Sequence, residues 1–504
     1  MNLTAATAEN TIINRSFGIQ VLVLCTALWV ASTRVSAEVS PTVRSTPDAK
    51  SAVEAIAIER AKQWVAAFNT QDVKKYENFL KNNGPAIIKY ARDDARYSLL
   101  LDGVSIKGDA TAIGNHAKVV LAAPFIDGLI ILDIKVEEHP PHSILTADLS
   151  RPSEEAAVIT PFANEQALIN LVTQRAQQQA GRNRFSGIVH VENRSGVVLS
   201  LAVGNAQELS VGCNASDVAL NGASVPKMLV STSVLRLVAS GKVRLDDRID
   251  RHIPELAGRP LGEATVRQLL DHSGGAGDFP KLTGANRLAH QNLFVAGMSA
   301  TPTHRPGKQW QYANYGYILL GELIRLKTGR DGAAAVEAWL KDLAPPCGTY
   351  IAGLTREEVF DPWFPVEKDS FYATPTSAGG QKVTARQISS FFAQLAAEQV
   401  VPKPLLLEAW QGKWQMPDGR YGLGFREYER AGLRYVGHGG AAPGANNQIS
   451  YFPNSGWLIV VLGNIDQPYG AWMSDYIVNR MGSLASEDAM APKGIRVIES
   501  AETP

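Results

Sequence analysis

The sequence predicts a small α+β unit followed by a larger domain in which one antiparallel sheet is assembled from both ends, with helices between. Three observations predict this. Residues 49–80 place apolar side chains at helical spacing, and strand-like runs follow them. Strand patterns at 185–203 return at 434–463, on either side of a long helical stretch punctuated by Gly and Pro. The composition is that of a globular chain: 504 residues, 45% apolar and 19% charged, enough to bury a large core without staples. With 49 basic and 49 acidic residues the formal charge is zero, which argues against a broad nucleic-acid surface. Three cysteines rule out a disulfide-dense scaffold. No uninterrupted apolar run reaches 18 residues, which excludes a multi-pass membrane protein.

Taken in order, residues 17–31 form a short apolar run after Arg15, followed by the small residues of Val35-Ser36-Ala37. This is the layout of a secretory leader over 1–37, with an uncleaved anchor as the alternative. It makes the expected location periplasmic or secreted, with no stable membrane span after cleavage. Leu24 before Cys25 argues against lipidation. Residues 38–48 read as a Ser/Thr/Pro linker. The accessory unit spans 49–152: Val53 to Phe68 and Val73 to Leu80 as two helices, then strands at 97–101, 117–121 and 129–136. Its helical run 64–80 and the strands after it resemble the nuclear-transport-factor-2-like cone domain. His116, His139 and His142 are scattered there and read as structural. A helix at 164–180 and a hairpin at 185–203 open the main domain, 164–483. Residues 484–504 lack a sustained period and read as a flexible tail. Cys213 and Cys347 could pair in an oxidising compartment or remain two buried thiols.

Three segments could carry chemistry. Ser224-Val225-Pro226-Lys227 opens a helix, because Pro226 is tolerated only in a first turn. Ser224 and Lys227 at i, i+3 then share a face. A serine hydroxyl becomes a nucleophile when a neighbouring base takes its proton, and a desolvated lysine can be that base. Otherwise Ser224 is an N-cap and Lys227 a surface charge. Tyr312 and Asn314 fall in the loop before a helix, where a phenol can share a proton relay and an amide can contact substrate. His438-Gly439-Gly440-Ala441 closes a short strand whose glycines leave room for substrate backbone. The backbone N–H groups of Ser224 and Ala441 could form an oxyanion hole. His-Glu-x-x-His and a phosphate loop are both absent, so no metal and no cofactor are assigned.

The order Ser-x-x-Lys, then Tyr-x-Asn, then His-Gly-Gly resembles the serine β-lactamase-like superfamily, in its class C β-lactamase, esterase and D-peptidase branch. Residues 185–187, 240–255, 265–279, 376–380 and 421–425 agree with it. The resemblance implies an α/β sandwich of the β-lactamase/penicillin-binding-protein type, an antiparallel sheet flanked by helices plus a helical lobe. By that resemblance Ser224 is the acylated nucleophile, Lys227 and Tyr312 the general base and acid, and Asn314, His438, Gly439 and Gly440 contact substrate. His438 stands where a lysine is usual, and an unperturbed histidine is mostly neutral at pH 7. This shifts the expectation from β-lactams toward esters or amides, small or peptide-like. A β-lactam-hydrolysing or D-amino-acid peptidase activity is the alternative within the family, and a non-catalytic envelope ligand-binding protein the alternative outside catalysis.

Overall fold

The computed structural model describes residues 47–123, 129–150, 159–280, 290–347, 374–416, 418–430 and 432–486. The leader at 1–37 and most of the 38–48 linker lie outside these residues, as does all but the start of the tail at 484–504. The chain divides into two compact units, Met1–Thr160 and Pro161–Pro504.

In the first unit, α1 (Pro47–Phe68) and α2 (Val73–Asn83) are separated at Asp72, whose side chain caps α2 by accepting from the Lys75 N–H. Trp64 and Phe68 stack at 4.7 Å, and Tyr76 meets both edge-on, closing the helix pair over one aromatic core. Residues 97–101 are not a strand but the last turn of α3 (Ala91–Leu101). Ala91, Ala95, Ser98 and Leu101 are its buried positions, a helical spacing visible only when the window starts at Ala91. One antiparallel sheet follows: β1 (Ser105–Ile106), β2 (Thr111–Ile113), β3 (His116–Ala122), β4 (Leu129–Val136) and β5 (Ile144–Ser150). Strand β4 buries every second side chain, as its alternation predicts. Strand β5 has no such alternation and was not expected.

The second unit opens with α4 (Glu165–Gly181) and the hairpin β6 (Gly187–Asn193) and β7 (Gly196–Val203). It closes with β10 (Trp414–Met416), β11 (Gly419–Tyr421), β12 (Arg426–Arg430), β13 (Leu433–Ala442), β14 (Ala445–Tyr451) and β15 (Leu458–Gly463). Together they form an eight-stranded antiparallel sheet in the order β10-β11-β12-β13-β14-β15-β6-β7. The two ends of the unit meet where β15 pairs β6, Leu458 opposite Glu192 and Gly463 opposite Gly187. Helices α4 and α9 (Tyr469–Val478) pack on this sheet. A short helix, Gly482–Ala485, follows, and Leu484 accepts a hydrogen bond from the Trp457 indole.

Between the sheet ends lies the helical part: α5 (Lys227–Ala239), α6 (Asn314–Thr328), α7 (Gly332–Leu343) and α8 (Ala385–Ala396), with the two-residue strands β8 (Leu220–Asn221) and β9 (Lys382–Val383) pairing beside it. Helix α5 is buried nearly all round: Met228, Leu229, Val230, Val234 and Leu235 are 0% exposed. A helix apolar on every side belongs inside a core, and each such side chain contributes about 2 kcal/mol of burial. This fixes the start of α5 against α6, and with it the candidate site. The fold is the β-lactamase/penicillin-binding-protein type.

Candidate active site

Ser224 sits on the tight turn that leads from β8 into α5. The Val225 N–H bonds to the Gly222 carbonyl, and the Lys227 N–H to the Ser224 carbonyl. The N-cap of α5 is Pro226 rather than Ser224, so the hydroxyl stands ahead of the helix and not over its first turn. Ala223 is held at φ 46°, a left-handed conformation that costs a residue with a Cβ about 1 kcal/mol or more. Two backbone bonds hold it there, Gly222 N–H to Gln381 and Gly380 N–H to the Ala223 carbonyl. Glycine is required at 379, since a Cβ there would lie 2.0 Å from the Ala223 oxygen.

Lys227 is fully buried. Its Nζ lies 3.1 Å from Ser224 Oγ and 2.9 Å from Asn314 Oδ1, and it bonds the Ala378 carbonyl. Burial brings the amine down to about 7; Asp278 opposes this and Arg426 reinforces it. A neutral lysine has two N–H donors and one lone pair. Asn314 Oδ1 and the Ala378 carbonyl can only accept, so they take both donors, and the lone pair is left for the Ser224 O–H. The partner set therefore suits an amine that accepts the serine proton.

Asn314 is the first residue of α6, one place further in than the loop expected. Its amide donates to Asp278 Oδ1 at 2.7 Å, which turns its oxygen toward Lys227. Tyr312 lies beside them, with Lys227 Nζ 5.0 Å from its ring centre. Among the described residues its buried hydroxyl makes no hydrogen bond of ordinary geometry. Burial pushes that phenol up to about 12, against Arg426 and the nearby Ser224 hydroxyl, which both lower it. At neutral pH it is therefore the phenol, not the phenolate.

His438 corrects the expectation of a substrate contact. It is 0% exposed, and its side chain turns inward. The Ala313 N–H donates to His272 Nδ1 at 3.1 Å, so the proton of His272 is on Nε2. That group lies 3.0 Å from the Tyr421 oxygen, whose own O–H points to His438 Nε2 at 2.9 Å. His438 Nδ1–H then donates to the Gly439 carbonyl. Every ring nitrogen is satisfied with both histidines neutral, and burial, with Lys227 and Arg426 and, for His272, His438 as well, holds both pKa values well below the usual range. His438 thus braces the segment carrying Tyr312 and offers no charge to a ligand.

Strand β13 does not stop at Ala441 but runs to Ala442. A Cβ on Gly440 would lie 2.5 Å from the Gly222 oxygen and 3.1 Å from the Ser224 nitrogen, so this glycine lets β13 touch the Ser224 turn. Gly439 is half-buried, and Ala441 is exposed at the strand end. Ala223, Ser224, Phe279, Thr376, Ala378, Gly379 and Gly380 line a small pocket at this point.

Asp278, Tyr421 and Arg426 were not singled out from the sequence as site residues. Arg426 pairs with Gly437 across β12 and β13, and its side chain is only 15% exposed. Burial works against its charge, but Tyr428, Asp418, Tyr312 and Tyr421 outweigh it and hold its pKa above the ordinary value. Asp278 is a single carboxylate in a Gly-rich segment, with only its place near His272 to signal it.

A serine beside a buried lysine on this fold is the setting of a serine hydrolase. The Beta-lactamase family pattern matches residues 172–480, well over half of the chain, and the chain belongs to that family. It is similar to esterase EstB of Burkholderia gladioli, 30% identical over 203 residues, 36% of this chain and 50% of that protein. The chain thus spans half the length of that relative. It is also similar to penicillin-binding protein 4 of Amycolatopsis lactamdurans, 24% identical over 324 residues, 56% of this chain and 84% of that protein. Among solved structures, the D-amino acid amidase of Ochrobactrum anthropi SV3 in complex with L-phenylalanine amide superimposes with a TM-score of 0.53. It is 18% identical, covers 63% of this chain and 100% of its own, and so shares the fold.

Proposed function

We propose that this is an exported hydrolase that cleaves an ester or amide through an acyl-enzyme on Ser224. Neutral Lys227 takes the Ser224 proton as Oγ bonds to the substrate carbonyl carbon. The tetrahedral oxyanion is held by the backbone N–H groups of Ser224 and Ala441. Tyr312, a phenol at neutral pH, passes a proton to the leaving group and is recharged from Lys227. Water then attacks the acyl-enzyme by the same relay in reverse. The observation that carries this reading is the Lys227 partner set: two acceptors and one hydroxyl, 3.1 Å away, around a fully buried amine. The leader pattern at 1–37 and the Cys213–Cys347 disulfide support export to an oxidising compartment. For the first unit, the helices followed by an antiparallel sheet support an accessory domain of the nuclear-transport-factor-2-like type.

His438, buried and neutral, supports esters and amides over β-lactams, whose carboxylate needs a cation. A fluorophosphonate probe should label the protein but not Ser224→Ala, with hydrolysis of short-chain nitrophenyl esters exceeding that of nitrocefin. Absence of labelling together with absence of ester turnover would show that the fold is kept without catalysis.

A further inference from the structure

A groove of about 760 Å³ lies where the far end of α5 meets α6 and α7. That volume falls in the range of small-molecule sites. Its floor is apolar: Leu237 of α5, Ile324 of α6, Ala335 and Ala338 of α7, and Val400 beyond α8. Arg236, which also lines it, follows Lys227 by nine residues on the same helix. At 1.5 Å per residue that is about 14 Å along the axis. None of the lining residues belongs to the Ser224 pocket.

Three cations, Arg236, Lys242 and Arg330, line the groove against one carboxylate, Asp342. Among the described residues none of these four side chains makes an ion pair or a hydrogen bond. Arg236 rests over the Trp339 ring, 5.5 Å from its centre, so this cation is positioned by an aromatic face rather than by a carboxylate. Trp339 is half-buried in the wall, and its indole N–H has no partner among the described residues. The hydroxyls of Ser233, Ser240 and Thr328 give their protons to the Leu229, Leu237 and Ile324 carbonyls of their own helices. What remains for a ligand is a set of N–H donors with positive charge in excess, above an apolar floor. An ammonium would be repelled there, whereas a carboxylate would take charge-assisted bonds from a guanidinium whose fork matches it.

We propose that this groove is a second ligand site, separate from the catalytic pocket, for a small organic anion: a carboxylate carried on a flat apolar body. The body lies on Leu237, Ile324 and Ala338. The carboxylate meets Arg236, with Lys242 and Arg330 adding attraction from the rim. Binding there does not depend on the reading of Ser224.

Equilibrium dialysis of the full chain at pH 7 against 2-naphthoate, 2-naphthamide and 2-naphthylmethylammonium tests this. The three probes share one ring system and carry negative, zero and positive charge. The naphthoate should bind at least about tenfold more tightly than the amide, and the ammonium least of all. Arg236 is exposed and makes no hydrogen bond among the described residues, so its replacement leaves the core untouched. Arg236→Gln should weaken naphthoate about tenfold and change the amide less than about twofold, and Arg236→Lys should recover part of the loss. Equal affinity for naphthoate and amide overturns the proposal. So does a naphthoate affinity that Arg236→Gln leaves unchanged, since the anion then sits elsewhere, the catalytic pocket included. Absence of saturable naphthoate binding up to about 1 mM overturns it as well.

Discussion

Lys227 and Ser224 are 3.1 Å apart, and no carboxylate among the described residues forms an ion pair with that lysine. A buried ammonium without a counter-ion is expensive, so burial lowers the amine's pKa most, and the charges of Asp278 and Arg426 adjust it from a distance. The proposed acylation requires the neutral form. kcat/KM for an uncharged ester should therefore rise as pH increases through about 7, the value to which burial brings Lys227. Arg426 pushes this value down, so Arg426→Gln should move the acid limb to higher pH while Arg426→Lys leaves it nearly in place. A pH–rate profile of the three proteins, with Tm measured on each, checks the shift.

The same buried lysine is a cost to the fold. Its folded pKa lies below the unfolded value near 10.5, so the unfolded chain binds the extra proton between about pH 7 and 10.5. Stability should rise with pH across that window from this group, and the deficit should be full below pH 7. Lys227→Met removes the deficit at similar volume. We expect it to abolish turnover and to stabilise the protein by on the order of 2 kcal/mol at pH 7. Urea unfolding of both proteins at pH 7 and pH 9 tests the sign, because the gain should shrink at the higher pH.

Gly440 and Gly439 separate a structural requirement from a tolerance. A Cβ at 440 meets backbone on the Ser224 turn, 2.5 Å from the Gly222 oxygen, and backbone there cannot yield without moving the nucleophile. A Cβ at 439 meets only the Gln448 side-chain oxygen, at 2.8 Å, which can rotate away. Gly440→Ala should lower kcat about a hundredfold through a misplaced nucleophile, whereas Gly439→Ala should stay within about threefold. Esterase kinetics on the two variants decide it.

Much of the site was legible because local rules act on local spacing. Pro226 restricts the helix start, and i, i+3 spacing then joins Ser224 to Lys227 without tertiary information. Strands β6, β7, β14 and β15 were legible through their apolar runs and turns. The side toward which His438 points was not, because its partner Tyr421 lies on a strand of three residues, too short to show a period. Arg426 opens a strand of five, and only the register with Gly437 reveals that it reaches the site. Asp278 carries no periodic signal at all. Its role depends on Asn314, 36 residues away.

The Cys213–Cys347 disulfide resolves the choice between a pair and two thiols, and it closes a loop of 134 residues. Chain-entropy reasoning gives roughly 5 kcal/mol for a loop of that length, with measured losses of about 2–5 kcal/mol. The paired Cys347 also donates its N–H to the Asp217 carbonyl, beside the Arg386–Asp217 ion pair, so the link fixes more than chain length. Cys213→Ser with Cys347→Ser should lower stability by about 3 kcal/mol while retaining fluorophosphonate labelling of Ser224. Denaturant midpoints with and without reductant should show the loss in the wild type alone.

Tyr421 is the centre of the buried relay, and its removal separates bracing from chemistry. Its oxygen accepts from His272 and its hydroxyl donates to His438, at 3.0 and 2.9 Å. Tyr421→Phe keeps the ring that packs against His272 at 4.6 Å but leaves one buried donor and one buried acceptor unpaired. Each orphaned group costs about 1–3 kcal/mol. The loss should therefore be about 2–6 kcal/mol, near the upper end because neither histidine can reach water. His272 bonds the Ala313 N–H, next to both Tyr312 and Asn314, so the slackened relay should lower kcat for a neutral ester more than it changes KM. The acid limb near pH 7 should stay where it is, since Tyr421 does not touch Lys227. Steady-state kinetics across pH, with thermal unfolding of the same samples, measure all three; a shift of that limb would place Tyr421 in the proton relay itself.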